Sequence, residues 1–177
     1  MKTMASNDHM ALVGGGKDDS RTVTVGFIPL VDCAIVVAAA ERGFAEAEGL
    51  RLSLVRETSW ANIRDRAMLG HFDAAHMLAP LPIASTLGAG GHLQVPMVAP
   101  FSLGLGGNAI TVSERLWSAL ERCGASLDDD PATMVGHLAK HVARLNAEGA
   151  QPLTLATVYP FSGHNYELRY WLAAAGI

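Results

Sequence analysis

The chain has 177 residues, of which half are hydrophobic and 17% are charged, and its formal net charge is -4. This length and composition predict a folded domain with a buried core and exclude a fully disordered chain. The mild acidity and the lack of a basic cluster argue against a nucleic-acid-binding surface, so we expect no direct nucleic-acid partner.

The start of the chain, residues 1–21, is polar and rich in small residues, and it predicts a flexible leader. Its apolar run "MALVG" is too short for the core of a signal peptide. No later run reaches the length of a membrane-spanning helix. As written, the chain is expected to be cytoplasmic. A chain from which an export signal had been removed would look the same, which leaves a periplasmic or membrane-associated location open.

Strand and helix patterns alternate after the leader. Alternating β-branched residues predict a strand over Thr22–Ile28, after which Asp32 is placed to cap a helix. The segment "LRLSLVRE" predicts a second strand, and Ser59 or Thr58 is placed to cap the next helix. Further strands are predicted at 72–78 and 153–160, extended segments at 94–103 and 108–113, and helices at 80–91, 113–124, 131–149 and 164–177. This alternation predicts an α/β fold with a largely parallel sheet covered on both faces.

Ligands of such sheets bind beyond the carboxyl ends of the strands, close to helix N-termini. The residues that directly follow strands or extended segments are therefore the candidates for a site. They fall in five segments, 29–33, 58–62, 76–80, 106–108 and 159–165.

Trp60 opens the helix that follows the second strand. The free backbone N–H groups of a first helical turn and the helix dipole favour a small anion there. An indole at this position would add an N–H donor and a flat wall. The alternative is a core side chain that packs on a neighbouring element.

Two further polar residues occupy comparable positions. Asn108 follows the glycine-rich run "LGLGGNA", which does not open a helix and so does not fit the dinucleotide-binding fingerprint. Its amide offers both a donor and an acceptor, although an asparagine is also common in turns. His164 precedes the last predicted helix, where a ring N–H could be donated to an anion. It could equally be a helix cap or a surface histidine.

Metal and catalytic signatures are weak. His137 and His141 are four residues apart on one helix, a spacing that can bind a metal, but no third ligand is evident. We therefore predict no metal site and place this pair on the polar face of the helix. The sequence has no recognisable Ser-His-Asp, Cys-His or nucleophile-elbow pattern. We therefore do not predict an enzyme, and we predict no cofactor.

Several long blocks nevertheless resemble a known family, in the right order along the chain. The block "VGFIPLVDCAIVVAAAERGFAEAEGL" resembles the opening of a lobe of the type II periplasmic binding proteins. The blocks "ETSWANIRDRAMLGHFDAAHMLAPLPIASTLGAGG", "LGGNAITVSERLW" and "HNYELRYWLAAAGI" resemble the nitrate- and bicarbonate-binding proteins of ABC transporters. The likeness extends over residues 22–177.

The resemblance implies two α/β lobes with an anion held in the cleft between them. It assigns residues 22–112 to the first lobe and 113–177 to the start of a second, incomplete lobe. It implies ligand roles for the Trp60 indole, the Ala61 backbone N–H, the Asn108 side chain and His164. Members of the family are roughly twice as long, as two lobes of ordinary domain size require. This chain therefore resembles an N-terminal part, without a basic ligand that the family supplies later.

Three hypotheses follow from the sequence. The first is a binding protein for a small oxyanion, nitrate or nitrite with bicarbonate also open, that works with an ABC permease. The second is a cytoplasmic nitrate sensor that regulates a protein partner such as an antiterminator, because leaderless relatives have similar sequences. The third is an enzyme that makes the thiamine pyrimidine, as some relatives of this fold do. That chemistry needs a cofactor lysine and metal ligands, and none of the three lysines follows a strand.

Overall fold

The computed structural model describes residues 21–91 and 93–177, so that the predicted leader up to residue 20 lies outside the described residues. The strands are β1 (Arg21–Phe27), β2 (Leu50–Arg56) and β3 (Ala74–Ala75). The helices are α1 (Ala34–Glu41), α2 (Phe44–Ala47), α3 (Trp60–Met68), α4 (Pro80–Leu87), α5 (Glu114–Glu121), α6 (Pro131–Ala147) and α7 (Gly163–Ala174). Two 3-10 turns, Val31–Cys33 and Ala89–Gly91, precede α1 and follow α4.

The three strands form one parallel sheet with the order β2-β1-β3, which confirms the predicted parallel α/β arrangement. The central strand β1 pairs Val25 with Leu54 on one side and with Ala74 on the other. A Cβ atom at Gly26 would overlap the ring of the buried Phe72. The strand therefore needs a glycine where this ring crosses it.

The predicted strand at 153–160 is wrong. In the described part of the chain this segment forms no regular secondary structure and has no ladder partner, and its Leu155 and Val158 are exposed. The predicted third strand is also shorter than expected, since only Ala74–Ala75 pairs with β1. Alternating apolar residues allow an extended conformation, but a strand forms only where a neighbour satisfies its backbone groups.

Serine caps fix where two of the helices begin, as the sequence predicted. The hydroxyl groups of Ser59 and Ser113 each accept a hydrogen bond from the backbone N–H three residues further on, at the starts of α3 and α5. The predicted Asp32 cap is wrong. A 3-10 turn precedes α1, and the Asp32 carboxylate contacts the imidazole of His76 instead.

Helices α5, α6 and α7 pack together at the end of the chain and bury Leu120, Val135 and Leu138. The prediction for the pair on α6 is wrong in one respect. His141 is buried, and His137 is half-buried with its Nδ1 atom 2.8 Å from the carbonyl oxygen of Cys123. The described residues contain no cluster of three metal-binding side chains.

None of the helices in the described ranges is both long enough and apolar enough to cross a membrane. The division into a first lobe and a second, incomplete lobe remains a prediction.

Candidate functional site

The turn between β2 and α3 is held by polar contacts around Glu57. This carboxylate is buried, forms an ion pair with Arg66 and accepts a hydrogen bond of 3.3 Å from the Asn62 amide. The Ser59 hydroxyl caps the same helix. These contacts fix the first turn of α3 at the carboxyl end of β2, where Trp60 is the first helical residue.

Trp60 is only 7% exposed, as a core side chain would be, yet its ring contacts a polar side chain. Its ring meets the imidazole of His76 edge to face, with centroids 5.2 Å apart and an interplanar angle of 76°. The Nε2 atom of His76 lies 2.9 Å from a carboxylate oxygen of Asp32. The carboxyl ends of β1, β2 and β3 thus supply one residue each to a contiguous row.

Ala61 lies in the first turn of α3 and is half-buried. Backbone N–H groups in a first turn have no acceptor within their own helix. The position therefore suits the donor role that the family resemblance implies for Ala61.

A buried arginine joins α3 to the segment that leads into α7. Arg64 is 8% exposed, and its Nη1 atom donates a 2.5 Å hydrogen bond to the hydroxyl of Tyr159. Three residues further on, the buried Ser162 donates to the Tyr159 carbonyl and accepts from the backbone N–H of Asn165. The start of α7 is therefore tied to α3 through side chains.

Asn108 lies directly on the first residue of α7. Its Nδ2 atom is 3.0 Å from the point where a Cβ of Gly163 would stand, and it donates to both carboxylate oxygens of Glu167 at 2.9 Å. His164 is half-buried in the same helical turn. Its Nδ1 atom is buried and has no hydrogen-bond partner among the described residues.

The four residues predicted for the site thus fall at two helix N-termini. Trp60 and Ala61 begin α3, whereas Asn108 and His164 lie at the first turn of α7. The Arg64–Tyr159 hydrogen bond connects the two regions.

Sequence reasoning missed three residues of this region as site members. His76 and Asp32 lie in segments that follow predicted strands, so their positions were marked although their contact was not. Glu167 lies inside a predicted helix and gave no such signal. What links these residues is proximity in space, since Asp32 and His76 are 44 positions apart in the sequence and Asn108 and Glu167 are 59 positions apart.

Two concavities in the described part of the chain have a different character. One lies between α6, α7 and the irregular segment near Leu153, and the other lies between α4 and Tyr166. Both are lined mainly by aliphatic side chains, which cannot replace the hydration of an ion. The two helix N-termini are therefore the better candidate for a charged ligand.

Comparison with a solved structure defines the class of protein. The crystal structure of the periplasmic nitrate-binding protein NrtA from Synechocystis PCC 6803 matches this fold with a TM-score of 0.71 and 26% sequence identity. The match covers 90% of this chain and 39% of that chain. The fold is that of the α/β periplasmic binding proteins, as the sequence predicted. A sequence profile described as the NMT1-like family matches residues 16–177, and the chain belongs to this family.

The relatives are of two kinds, ATP-binding proteins and anion-binding proteins. The nitrate/nitrite binding protein NrtA of Synechococcus elongatus is 33% identical over 93% of this chain and 36% of its own length. The nitrate import ATP-binding protein NrtC of Synechocystis sp. is 36% identical over 99% of this chain and 24% of its own length. The bicarbonate transport ATP-binding protein CmpC of Synechocystis sp. is 38% identical over 86% of this chain and 21% of its own length. The chain therefore spans only a minor part of these relatives.

Proposed function

We propose that this chain binds a small oxyanion, nitrate or nitrite in particular, as a substrate-binding part of an ABC transport system. The observation that carries the proposal is the first turn of α7. There the buried Nδ1 atom of His164 lacks a partner among the described residues, and the Asn108 amide lies against Gly163. Relatives with nitrate- and bicarbonate-binding names support the choice of ligand class.

The chemistry of this region suits an anion of low charge density. The first-turn N–H groups of α3 and α7 and the ring of His164 are donors that need no full positive charge. The two helix dipoles add positive potential at the same ends. A flat indole at Trp60 offers a wall to a planar oxyanion. We place the ligand between these two helix starts, in the cleft that the two-lobe arrangement would form.

Transport is proposed ahead of sensing or catalysis. Relatives at 34–38% identity are named as nitrate import or bicarbonate transport proteins, which favours an ABC permease and its ATPase as partners. The anion-binding proteins among the relatives favour capture of a ligand over its conversion. A sensor that regulates an antiterminator has no comparable support.

Calorimetric titration of nitrate, nitrite and hydrogencarbonate tests this function directly. His164→Ala should raise the Kd for the bound anion about tenfold or more, because one charge-assisted hydrogen bond is lost. His71→Ala is the matched control, since His71 is exposed beyond the far end of α3. Equal affinity of the wild-type chain and His164→Ala would contradict the assigned site, and no binding of any of the three anions would contradict the function.

A further inference from the structure

We propose that His76 is a positioning residue of the anion site, and that Asp32 sets the orientation of the Trp60 indole through it. The inference rests on the proposed function, because it treats Trp60 as a wall of the anion site. The structural claim itself concerns only the row Asp32–His76–Trp60. It can be tested whether or not an anion binds.

The first step is the contact between Asp32 and His76. An ionised carboxylate only accepts hydrogen bonds, so the contact of 2.9 Å places the imidazole proton on Nε2. This contact constrains the orientation of the ring. A carboxylate holds the imidazole of catalytic and metal-binding histidines in the same manner.

The second step is the burial of His76. Its side chain is 1% exposed, and its Nδ1 atom has no hydrogen-bond partner among the described residues. A buried polar atom without a partner is unfavourable, and an aliphatic residue would avoid it. An imidazole suits this position because it makes two contacts that an aliphatic side chain cannot make. These are the hydrogen bond to Asp32 and the aromatic contact with Trp60.

The third step is the anchoring of the row to β1. The backbone N–H of His76 donates to the carbonyl of Gly26 at 2.8 Å, and Asp32 lies in the turn that follows the same strand. The His76 end of the contact is therefore held directly by the central strand. The Trp60 indole at the start of α3 packs against His76, whose backbone and side chain are both held by hydrogen bonds.

The fourth step is the difference in exposure along the row. The side chain of Asp32 is 47% exposed, whereas Trp60 is 7% exposed. His76 links the two residues, since its imidazole is bonded to Asp32 and also packs against the indole of Trp60. An effect of an Asp32 substitution on the Trp60 indole would therefore distinguish a positioning role of His76 from simple packing.

The experiment follows the three indole N–H cross-peaks in a ¹H–¹⁵N spectrum of the full chain. Loss of one peak in Trp60→Phe assigns Trp60, and the Trp117 and Trp171 peaks serve as internal references. Asp32→Ala should move the Trp60 peak and leave the other two in place. Asp32→Asn, which keeps an oxygen acceptor for Nε2–H, should restore most of the wild-type position. Asp73→Ala is the matched control, because Asp73 is an exposed aspartate whose carboxylate accepts from Thr24 of β1.

Anion binding gives the second readout. Asp32→Ala should raise the Kd for the bound anion about fivefold or more, but not in a Trp60→Ala background, since coupled residues are not additive. An unmoved Trp60 peak in Asp32→Ala, or a shift shared equally by all three indoles, would overturn the inference. If no anion binds while the Trp60 peak alone moves, the proposed function fails and the positioning role stands.

Discussion

The amide of Asn108 donates to both carboxylate oxygens of Glu167, at 2.9 Å each, directly over the first residue of α7. A helix N-terminus favours negative charge, and here that charge comes from the chain itself. The Asn108 donor that the family resemblance assigns to a ligand is therefore engaged by an internal carboxylate. Because the Glu167 carboxylate is negatively charged and lies at the start of α7, it should oppose the binding of an external anion there.

Glu167→Gln should therefore strengthen oxyanion binding. The substitution removes a negative charge beside the proposed site while it retains the size of the side chain. We expect the Kd for nitrate to fall about threefold to tenfold, which corresponds to about 1 kcal/mol. Calorimetric titration measures this change. Glu41→Gln, at an exposed position on α1, is the control, and weaker binding by Glu167→Gln would show that the carboxylate supports the site.

Gly26→Ala should destabilise the fold. A methyl group at this position would overlap the Phe72 ring, and overpacking of a core typically costs about 1–3 kcal/mol. The measurement is chemical denaturation followed by circular dichroism. Gly136→Ala is the matched control, because a Cβ there meets nothing within 4 Å and lies inside α6. That change should stabilise the fold by about 0.5–1 kcal/mol. An unchanged midpoint for Gly26→Ala would mean that the Phe72 ring can move aside.

Tyr159→Phe should weaken the connection between α3 and the start of α7. The Tyr159 hydroxyl accepts a hydrogen bond from the buried guanidinium of Arg64, and a bond to a charged group typically contributes about 1.5–3 kcal/mol. We expect a loss of that order in the free energy of unfolding by urea. Tyr170→Phe is the control, since Tyr170 is 82% exposed on α7. Equal stability of the two variants would count against this hydrogen bond as a link.

Local signals were predictable from the sequence, and long-range contacts were not. The caps at Ser59 and Ser113 were correct because a cap depends on residues within one helical turn. Asp32 was also predicted to be a cap, but its carboxylate instead forms a hydrogen bond with His76, 44 positions away in the sequence. The segment 153–160 has the alternation of a strand but forms none, because alternation does not supply a neighbour in a sheet.

The site shows the same division. The expectation that ligands bind beyond the ends of strands selected Trp60 through the real strand β2, whereas it selected His164 through a strand at 153–160 that does not form. The family resemblance gave both residues their roles. The ligand roles of Trp60, Ala61, Asn108 and His164 remain predictions. The contact of Asn108 with Glu167 could not be predicted, because they are 59 positions apart in the sequence and only the packing of α7 brings them together.

The buried His141 should make the fold less stable in mild acid. Burial lowers the pKa of this imidazole, and the nearby Arg144 guanidinium lowers it further. The unfolded chain, with an ordinary pKa near 6.5, then binds a proton more readily than the folded chain. The contribution of the neutral imidazole is complete above pH 6.5 and is lost as the pH falls below that value towards the folded pKa.

Urea denaturation at a series of pH values from 7.5 to about 5 measures this dependence. His141→Gln should flatten the pH profile of the free energy of unfolding, because glutamine does not titrate in this range. His71→Gln, at an exposed position, should leave the profile as it is in the wild-type chain. A wild-type profile that is flat below pH 6.5, or one that His141→Gln does not flatten, would show that the buried imidazole does not cause the acid sensitivity.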